Sequence, residues 1–281
     1  MQQRFERPAS IAEASRQLAT GSFAVLAGGT DLYAAHVGKP IATPLLDITG
    51  IAELRGILRE GTCWTIGATT TWSDVVRADL PPLFDALKAA AREVGGVQIQ
   101  NTGTVAGNVC NASPAADGTP VLMALGASVV LRGERGERVL PIEQFVLGNR
   151  RTARAADELV VALRVPARGA RARSAFAKLG GRRYLTIAVT TVAVVVDVDQ
   201  RGCVEAAGVS VGSCSAVARR LPALEARLAG APVSSDLAAL LGAADLIPLA
   251  PIDDLRASAA YRLDATRTLL RRALLSIATA P

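Results

Sequence analysis

The stretch that decides the fold is Val97-Gln98-Ile99-Gln100-Asn101-Thr102-Gly103-Thr104-Val105-Ala106-Gly107-Asn108. It continues through Cys110-Asn111-Ala112-Ser113-Pro114-Ala115-Ala116-Asp117 with almost no charge. Small side chains and neutral hydrogen-bonding groups dominate, a composition suited to wrapping an elongated polar ligand. Gly95 to Pro120 shows little apolar periodicity and predicts a long irregular segment. Such a segment inside a compact domain is functional or disordered, and the lack of charge runs and low-complexity repeats argues against disorder. Asp117 is the only carboxylate in the stretch. A carboxylate repels phosphate, so Asp117 is read as an acceptor for sugar or ribityl hydroxyls. The plainer alternative is a structural loop in which Asp117 caps the helix near Val121.

Upstream, Phe23 to Leu26 reads as a short strand running into Ala27-Gly28-Gly29-Thr30-Asp31-Leu32. Two glycines let the backbone turn tightly and approach a ligand with no Cβ in the way. The helix expected after Thr30 would favour negative charge at its start, and a pyrophosphate would fit there. An ordinary strand–turn–helix corner is the competing reading. The loop is neither Gly-x-Gly-x-x-Gly nor a P-loop, so both of those nucleotide folds lack their fingerprint.

Other elements follow from pattern. Ser10 to Leu18 is helical with Ser10 as N-cap, and Leu45 to Ile48 is a strand. Gly56 to Glu60 and Trp64 to Ala68 form a hairpin, and Trp72 to Ala78 and Leu83 to Val94 are helical. Val121 to Arg132 reads as a helix end followed by a strand, a hairpin at Gly133 to Gly136 leads to Arg138 to Leu140, and Glu158 to Val165 is a further strand. The Pro-, Gly- and Arg-rich run from Pro166 to Arg173 marks a domain boundary. Beyond it come strands at Ser174 to Leu179, Ile187 to Val198 and Val204 to Val211, the last two joined by a hairpin turn at 199–202. Helices at Leu221 to Leu228, Ser235 to Ala244 and Ala259 to Ile277 complete an α+β pattern. The expected domains are 1–167, with subdomains near 1–54 and 55–167, and 174–281.

Composition removes several chemistries. The 281 residues include one histidine, His36, so no multi-His metal centre forms. Cys63, Cys110, Cys203 and Cys214 are scattered without a Cys-x-x-Cys pair, which disfavours a zinc ribbon, an iron–sulfur cluster held by this chain alone or a disulfide framework. A reduced cytoplasmic chain is expected. The polar start from Met1 lacks an apolar signal core. The apolar run Ile187 to Val196 falls short of the ~20 residues of a membrane helix. A net charge of +6 is weak reason to invoke nucleic acid. Arg150, Arg151, Arg154, Arg168, Arg171, Arg173, Arg182 and Arg183 flank the boundary. They read as a solvated linker face or as a contact surface for an acidic partner, and the absence of interleaved aromatics disfavours single-stranded nucleic acid.

Taken in order, Ala-Gly-Gly-Thr-Asp-Leu, Leu45-Leu46-Asp47-Ile48, Thr65-Ile66-Gly67-Ala68-Thr69-Thr70, Asn-Thr-Gly-Thr-Val-Ala-Gly-Asn and Ser-Pro-Ala-Ala-Asp resemble the FAD-binding (medium) subunit of molybdenum hydroxylases. That group includes the medium subunit of carbon monoxide dehydrogenase and the FAD domain of xanthine dehydrogenase, and the resemblance covers nearly the whole chain. It implies a vanillyl-alcohol-oxidase-type FAD-binding fold of two α+β subdomains, followed by a C-terminal α+β domain with an antiparallel sheet plus helices. It also implies FAD contacts at Val25, Leu26, Ala27, Gly28, Gly29, Thr30, Asp31 and Leu32, at Thr104, Val105, Ala106, Gly107 and Asn108, and at Asp117. Val94, Val160 and Lys178 fall where the family places additional contacts. A lysine near the flavin pyrimidine edge would stabilise charge that develops on reduction; a solvated strand end is the other reading of Lys178. The family usually has two glycines where this chain has Ala106-Gly107. His36 lies in no flavin-attachment motif, so FAD is expected to be non-covalent and His36 to sit on a helix surface.

The resemblance implies an electron-transfer oxidoreductase subunit with no catalytic acid or base of its own. Its partners would be a large molybdopterin subunit and a small subunit with two [2Fe-2S] clusters. Electrons would pass through FAD to NAD, oxygen, a quinone or a cytochrome. Two alternatives stand beside it. A self-sufficient flavin oxidase would need a base over the flavin, and one His with three Tyr leaves few candidates. A non-catalytic nucleotide-binding assembly module would take up no FAD.

Overall fold

The computed structural model describes residues 4–279; the first residues of the polar start, 1–3, and the end of the C-terminal domain, 280–281, lie outside them. The chain opens with a three-stranded parallel sheet ordered Phe5–Glu6, Leu45–Asp47, Ala24–Leu26. Helix Ile11–Thr20 connects its first two strands in sequence. Ser10 starts that helix by accepting from Glu13 N at 3.2 Å, and Glu13 reaches back to Ala9 N at 2.8 Å. One face of the helix, with Ala14 and Leu18, is buried.

An antiparallel five-stranded sheet follows, ordered Ile57–Glu60, Cys63–Gly67, Leu159–Pro166, Ser128–Gly133, Gly136–Pro141. A second antiparallel sheet holds Arg173–Gly180, Ala188–Val198, Val204–Gly212 and Arg219–Arg220. Its long strand Ala188–Val198 is buried along nearly its whole length, because it is covered on both faces. On one side lies helix Ala259–Thr279, whose Leu269, Leu270, Ala273, Leu274 and Ile277 pack with Val192, Val194 and Val196. On the other lie helices Asp85–Glu93 and Gly118–Ala124 of the preceding region. Polar contacts fix that junction. Ser174 Oγ donates to Leu83 O at 2.8 Å and accepts from Ala86 N at 2.9 Å, while Ser210 Oγ donates to Pro120 O at 2.6 Å. The α+β class expected from the element pattern is the observed one.

Two segments differ from expectation. Gly95 to Pro120 is not an irregular loop; it carries the short helices Val97–Thr102 and Val105–Asn111 and the start of Gly118–Ala124. None is long enough to display helical periodicity; Val105–Asn111 and Gly118–Ala124 are stabilised by burial in place of intrinsic propensity, whereas Val97–Thr102 has no buried residue. The expected helix at Ser235 to Ala244 is instead two 3₁₀ segments, Ser235–Leu240 and Ala243–Leu246.

Candidate functional site

Two segments remote in sequence meet at the site. Strand Ala24–Leu26 delivers the chain to Gly28 and Gly29, and helix Thr30–Ala34 follows. Gly29 has φ +68°, where a residue with a Cβ is strained. Gly28 lies against the backbone of Thr102 and Gly103 so closely that a Cβ there would collide with the Thr102 carbonyl. The 102–105 backbone is held from its other side. Trp72 N donates to Gly103 O at 3.1 Å, Val105 N donates to Thr70 O at 3.0 Å, and Thr71 and Thr104 form an antiparallel bridge.

Local capping sets this geometry. Thr71 Oγ1 accepts from Asp74 N at 3.1 Å while Asp74 accepts from Thr71 N at 2.9 Å, a reciprocal cap that starts helix Trp72–Arg77. Trp72, 1% exposed, is thereby fixed in the floor of the site. Thr104 Oγ1 accepts from Gly107 N at 3.0 Å and starts helix Val105–Asn111.

Between the segments opens a cleft of about 500 Å³. The whole run Val25, Leu26, Ala27, Gly28, Gly29, Thr30, Asp31 and Leu32 lines it, with Val94, Thr104, Gly107 and Asn108. Val105 and Ala106 are buried in the core behind that wall. Asp117, Val160 and Lys178 lie outside the cleft lining. Val160 is buried in strand Leu159–Pro166 beside a register shift. Ile99, Cys110 and Asn111, inside the ligand-wrapping stretch but not named as contacts, also line the cleft, as do Trp72 and Arg150, which sequence reasoning did not place there. Trp72 carried a signal in the Thr-x-x-Asp cap before it; Arg150 carried none. His36 also faces this cleft, half-buried, with Nδ1 2.8 Å from Leu32 O, so it is more than a residue of an open helix surface.

The cleft perturbs its ionisable groups. Burial raises the Asp31 carboxyl although its side chain remains open to solvent, and the Arg150 charge opposes that rise. Burial pushes the Cys110 thiol up to about 11, opposed by Arg154; the residue lines the cleft and is exposed at its surface. Asn108 Oδ1 is buried with no hydrogen-bond partner among the described residues, an acceptor left for a ligand's donor.

Lys178 and Asp117, outside the cleft lining, pair with each other. Lys178 Nζ lies 2.7 Å from Asp117 Oδ2 and 3.3 Å from Glu93 O. Their side chains are 5% and 11% exposed, so Lys178 is not a solvated strand end. Asp117 makes no side-chain cap to helix Gly118–Ala124. Burial pushes Asp117 up to about 6, with Lys178 opposing and Glu93 adding to the rise. Asp117 Oδ1 is unpartnered, as are the buried hydroxyls of Thr119 and Thr191; Thr191 is the cross-strand neighbour of Lys178.

Two glycine-bearing loops that meet at one cleft, with neutral hydrogen-bonding groups in its lining, suit an elongated nucleotide-type cofactor. Residues 1–168 match the model of the FAD binding domain in molybdopterin dehydrogenase, and 174–277 match that of the CO dehydrogenase flavoprotein C-terminal domain. The beta subunit of caffeine dehydrogenase from Pseudomonas sp. (strain CBB1) is 33% identical over 83% of this chain and 80% of its own. The carbon monoxide dehydrogenase medium chain of Hydrogenophaga pseudoflava is 31% identical over 96% and 95%. A chain of reconstituted CO dehydrogenase from Oligotropha carboxidovorans superposes with TM-score 0.89 at 29% identity, covering 100% of this chain and 99% of that one. The chain belongs to the FAD-binding subunits of the molybdenum hydroxylase family, and its fold is that of the carbon monoxide dehydrogenase medium subunit. FAD is the cofactor of this oxidoreductase subunit. Among the described residues no helix is long and apolar enough to cross a membrane.

Proposed function

We propose that this chain passes electrons from [2Fe-2S] clusters of a small partner subunit, through FAD, to an external acceptor. A large molybdopterin subunit would carry the substrate chemistry. The observation that carries the reading is the packing of Gly28 on Thr102 and Gly103, which joins both glycine-bearing loops at one cleft. The residues fit the cofactor: the unpartnered Asn108 oxygen and the Cβ-free backbone at Gly28 and Gly29 leave room and hydrogen-bonding capacity for it. In this reading Val25 to Leu32 hold the pyrophosphate, Thr104 to Asn108 form the second loop, and Val94, Asp117, Val160 and Lys178 add contacts.

FAD, when bound, supplies the redox chemistry. The protein's own part is placement and charge. Asp117 and the Glu93 carbonyl hold the Lys178 ammonium in one position. Trp72 and the capped helices keep the cleft floor rigid.

Co-purification from the native host, followed by an absorption spectrum, tests the reading. Flavin and iron–sulfur bands with two co-eluting chains are expected. A lone chain without flavin overturns it, and reduction of the isolated FAD-loaded chain by an organic substrate would favour a self-sufficient oxidase instead.

A further inference from the structure

We propose that Arg150 is an anion-binding residue of the cofactor cleft, placed to meet the pyrophosphate charge of FAD; this rests on the FAD reading above. Arg150 sits at the tip of the hairpin formed by Val146–Gly148 and Arg151–Thr152, between the paired residues Gly148 and Arg151. Its φ is +54°, a conformation that Gly, Asn or Asp adopts more readily and that costs another residue about 1 kcal/mol. Strain of this kind clusters at ligand clamps and active sites.

The hairpin is built to hold that tip still. Phe145 and Val146 anchor its first strand in the core, and Ala153 N donates to Phe145 O at 2.8 Å across its base. Arg150 N donates to Ala112 O at 3.2 Å. Ala112 is the left-handed C-cap of helix Val105–Asn111, the helix that carries the second glycine loop. The tip is thus tied to the element that forms the facing wall of the cleft.

Arg150 lines the cleft with Gly28, Gly29 and Thr30. Among the described residues its side chain has no hydrogen bond or ion pair, whereas the neighbouring Arg154 donates to the Ala155 and Glu158 carbonyls. Asp31, one residue beyond Thr30, is a carboxylate beside the loop assigned to the pyrophosphate, and alone it would repel an anion. Arg150 is the charge that acts on Asp31 from across the cleft. A guanidinium there offsets the carboxylate and leaves donors free for phosphate oxygens.

The test titrates the ligand-free full chain with FAD, ADP and riboflavin by calorimetry. Arg150→Asn removes the charge but tolerates the left-handed backbone, and Arg150→Lys keeps the charge. In Arg150→Asn the affinities for FAD and ADP are expected to fall about tenfold, riboflavin affinity to hold, and the salt dependence of FAD binding to flatten. Arg150→Lys should recover part of the loss, and so should Asp31→Asn combined with Arg150→Asn. Unchanged FAD and ADP affinities in Arg150→Asn, or an equal loss for riboflavin, overturn the assignment while leaving the FAD reading intact. A wild-type chain that binds neither FAD nor ADP overturns both.

Discussion

The cleft and the Asp117–Lys178 pair are stabilised in opposite ways. Around Gly28, Gly29 and Thr102–Asn108 the structure is backbone against backbone, small residues and an open cleft, with charges such as Arg150 at its rim. Around Asp117 and Lys178 it is closed: an ion pair buried between a helix-bearing loop and the C-terminal sheet, with Thr191, whose hydroxyl has no partner among the described residues, across from Lys178. The cleft depends on shape and fails when volume is added. The pair depends on charge compensation and fails when one partner is removed. Substitutions on each side separate these two modes.

The largest effect is expected on the closed side. Lys178→Ala leaves the Asp117 carboxylate buried without its cation and is expected to cost about 3–5 kcal/mol in urea unfolding near neutral pH. Lys178 lowers the Asp117 pKa, which burial nonetheless holds at about 6; without Lys178 the stranded carboxyl takes up its proton at higher pH, so the penalty should be largest in alkaline solution and shrink as pH falls toward 6. A penalty independent of pH would mean that Lys178 acts through packing alone.

The wild-type chain should show the related slope. The folded Asp117 binds its proton more tightly than the unfolded one, whose value is near 3.8. That contribution to stability is present below about pH 4 and is lost as pH rises through 6. The shift corresponds to about 3 kcal/mol. Asp117→Asn cannot lose a proton, so its stability relative to wild type should rise by about that amount between pH 4 and 7. Parallel unfolding curves across this range would remove Asp117 as the titrating group.

On the open side, Gly28→Ala drives a methyl into the Thr102 carbonyl. Neither backbone yields easily, so a cost of up to about 3 kcal/mol is expected, with loss of FAD from the purified chain. Its stability change should not vary with pH, which distinguishes a failure of shape from a failure of charge.

The same contrast explains what could be read from the sequence. The open side was legible because shape restricts residue type: Gly28-Gly29-Thr30 after a strand and Asn101-Thr102-Gly103-Thr104 each announce close backbone approach. The hydrophobic strands of the C-terminal sheet were legible for the ordinary reason that ten or so residues display a pattern. Short helices were not, since Val97–Thr102 and Val105–Asn111 end before periodicity can show. Asp117 and Lys178 were each singled out, but nothing local records that residues 61 positions apart share one proton-sensitive contact. Gly148-Asn149 marks a turn before Arg150, but nothing local tells that this turn folds back onto the cleft, so Arg150 reads only as one of the arginines flanking the domain boundary.

The smallest expected effect tests how sharply the open side is bounded. The family resemblance leads one to expect glycine at position 106, and a methyl there could displace the second loop. In the structure Ala106 is 2% exposed and belongs to the hydrophobic core, while its neighbour Gly107 faces the cleft. One residue apart on a helix, the two point to different surroundings. The methyl therefore contributes to packing and helix propensity and contributes nothing to the ligand surface. Ala106→Gly is expected to cost about 1 kcal/mol and to leave FAD affinity unchanged in the same calorimetric titration. A gain in FAD affinity on removing this methyl would mean that the core behind the wall strains the loop, and that shape on the open side is set from within as well as from the cleft.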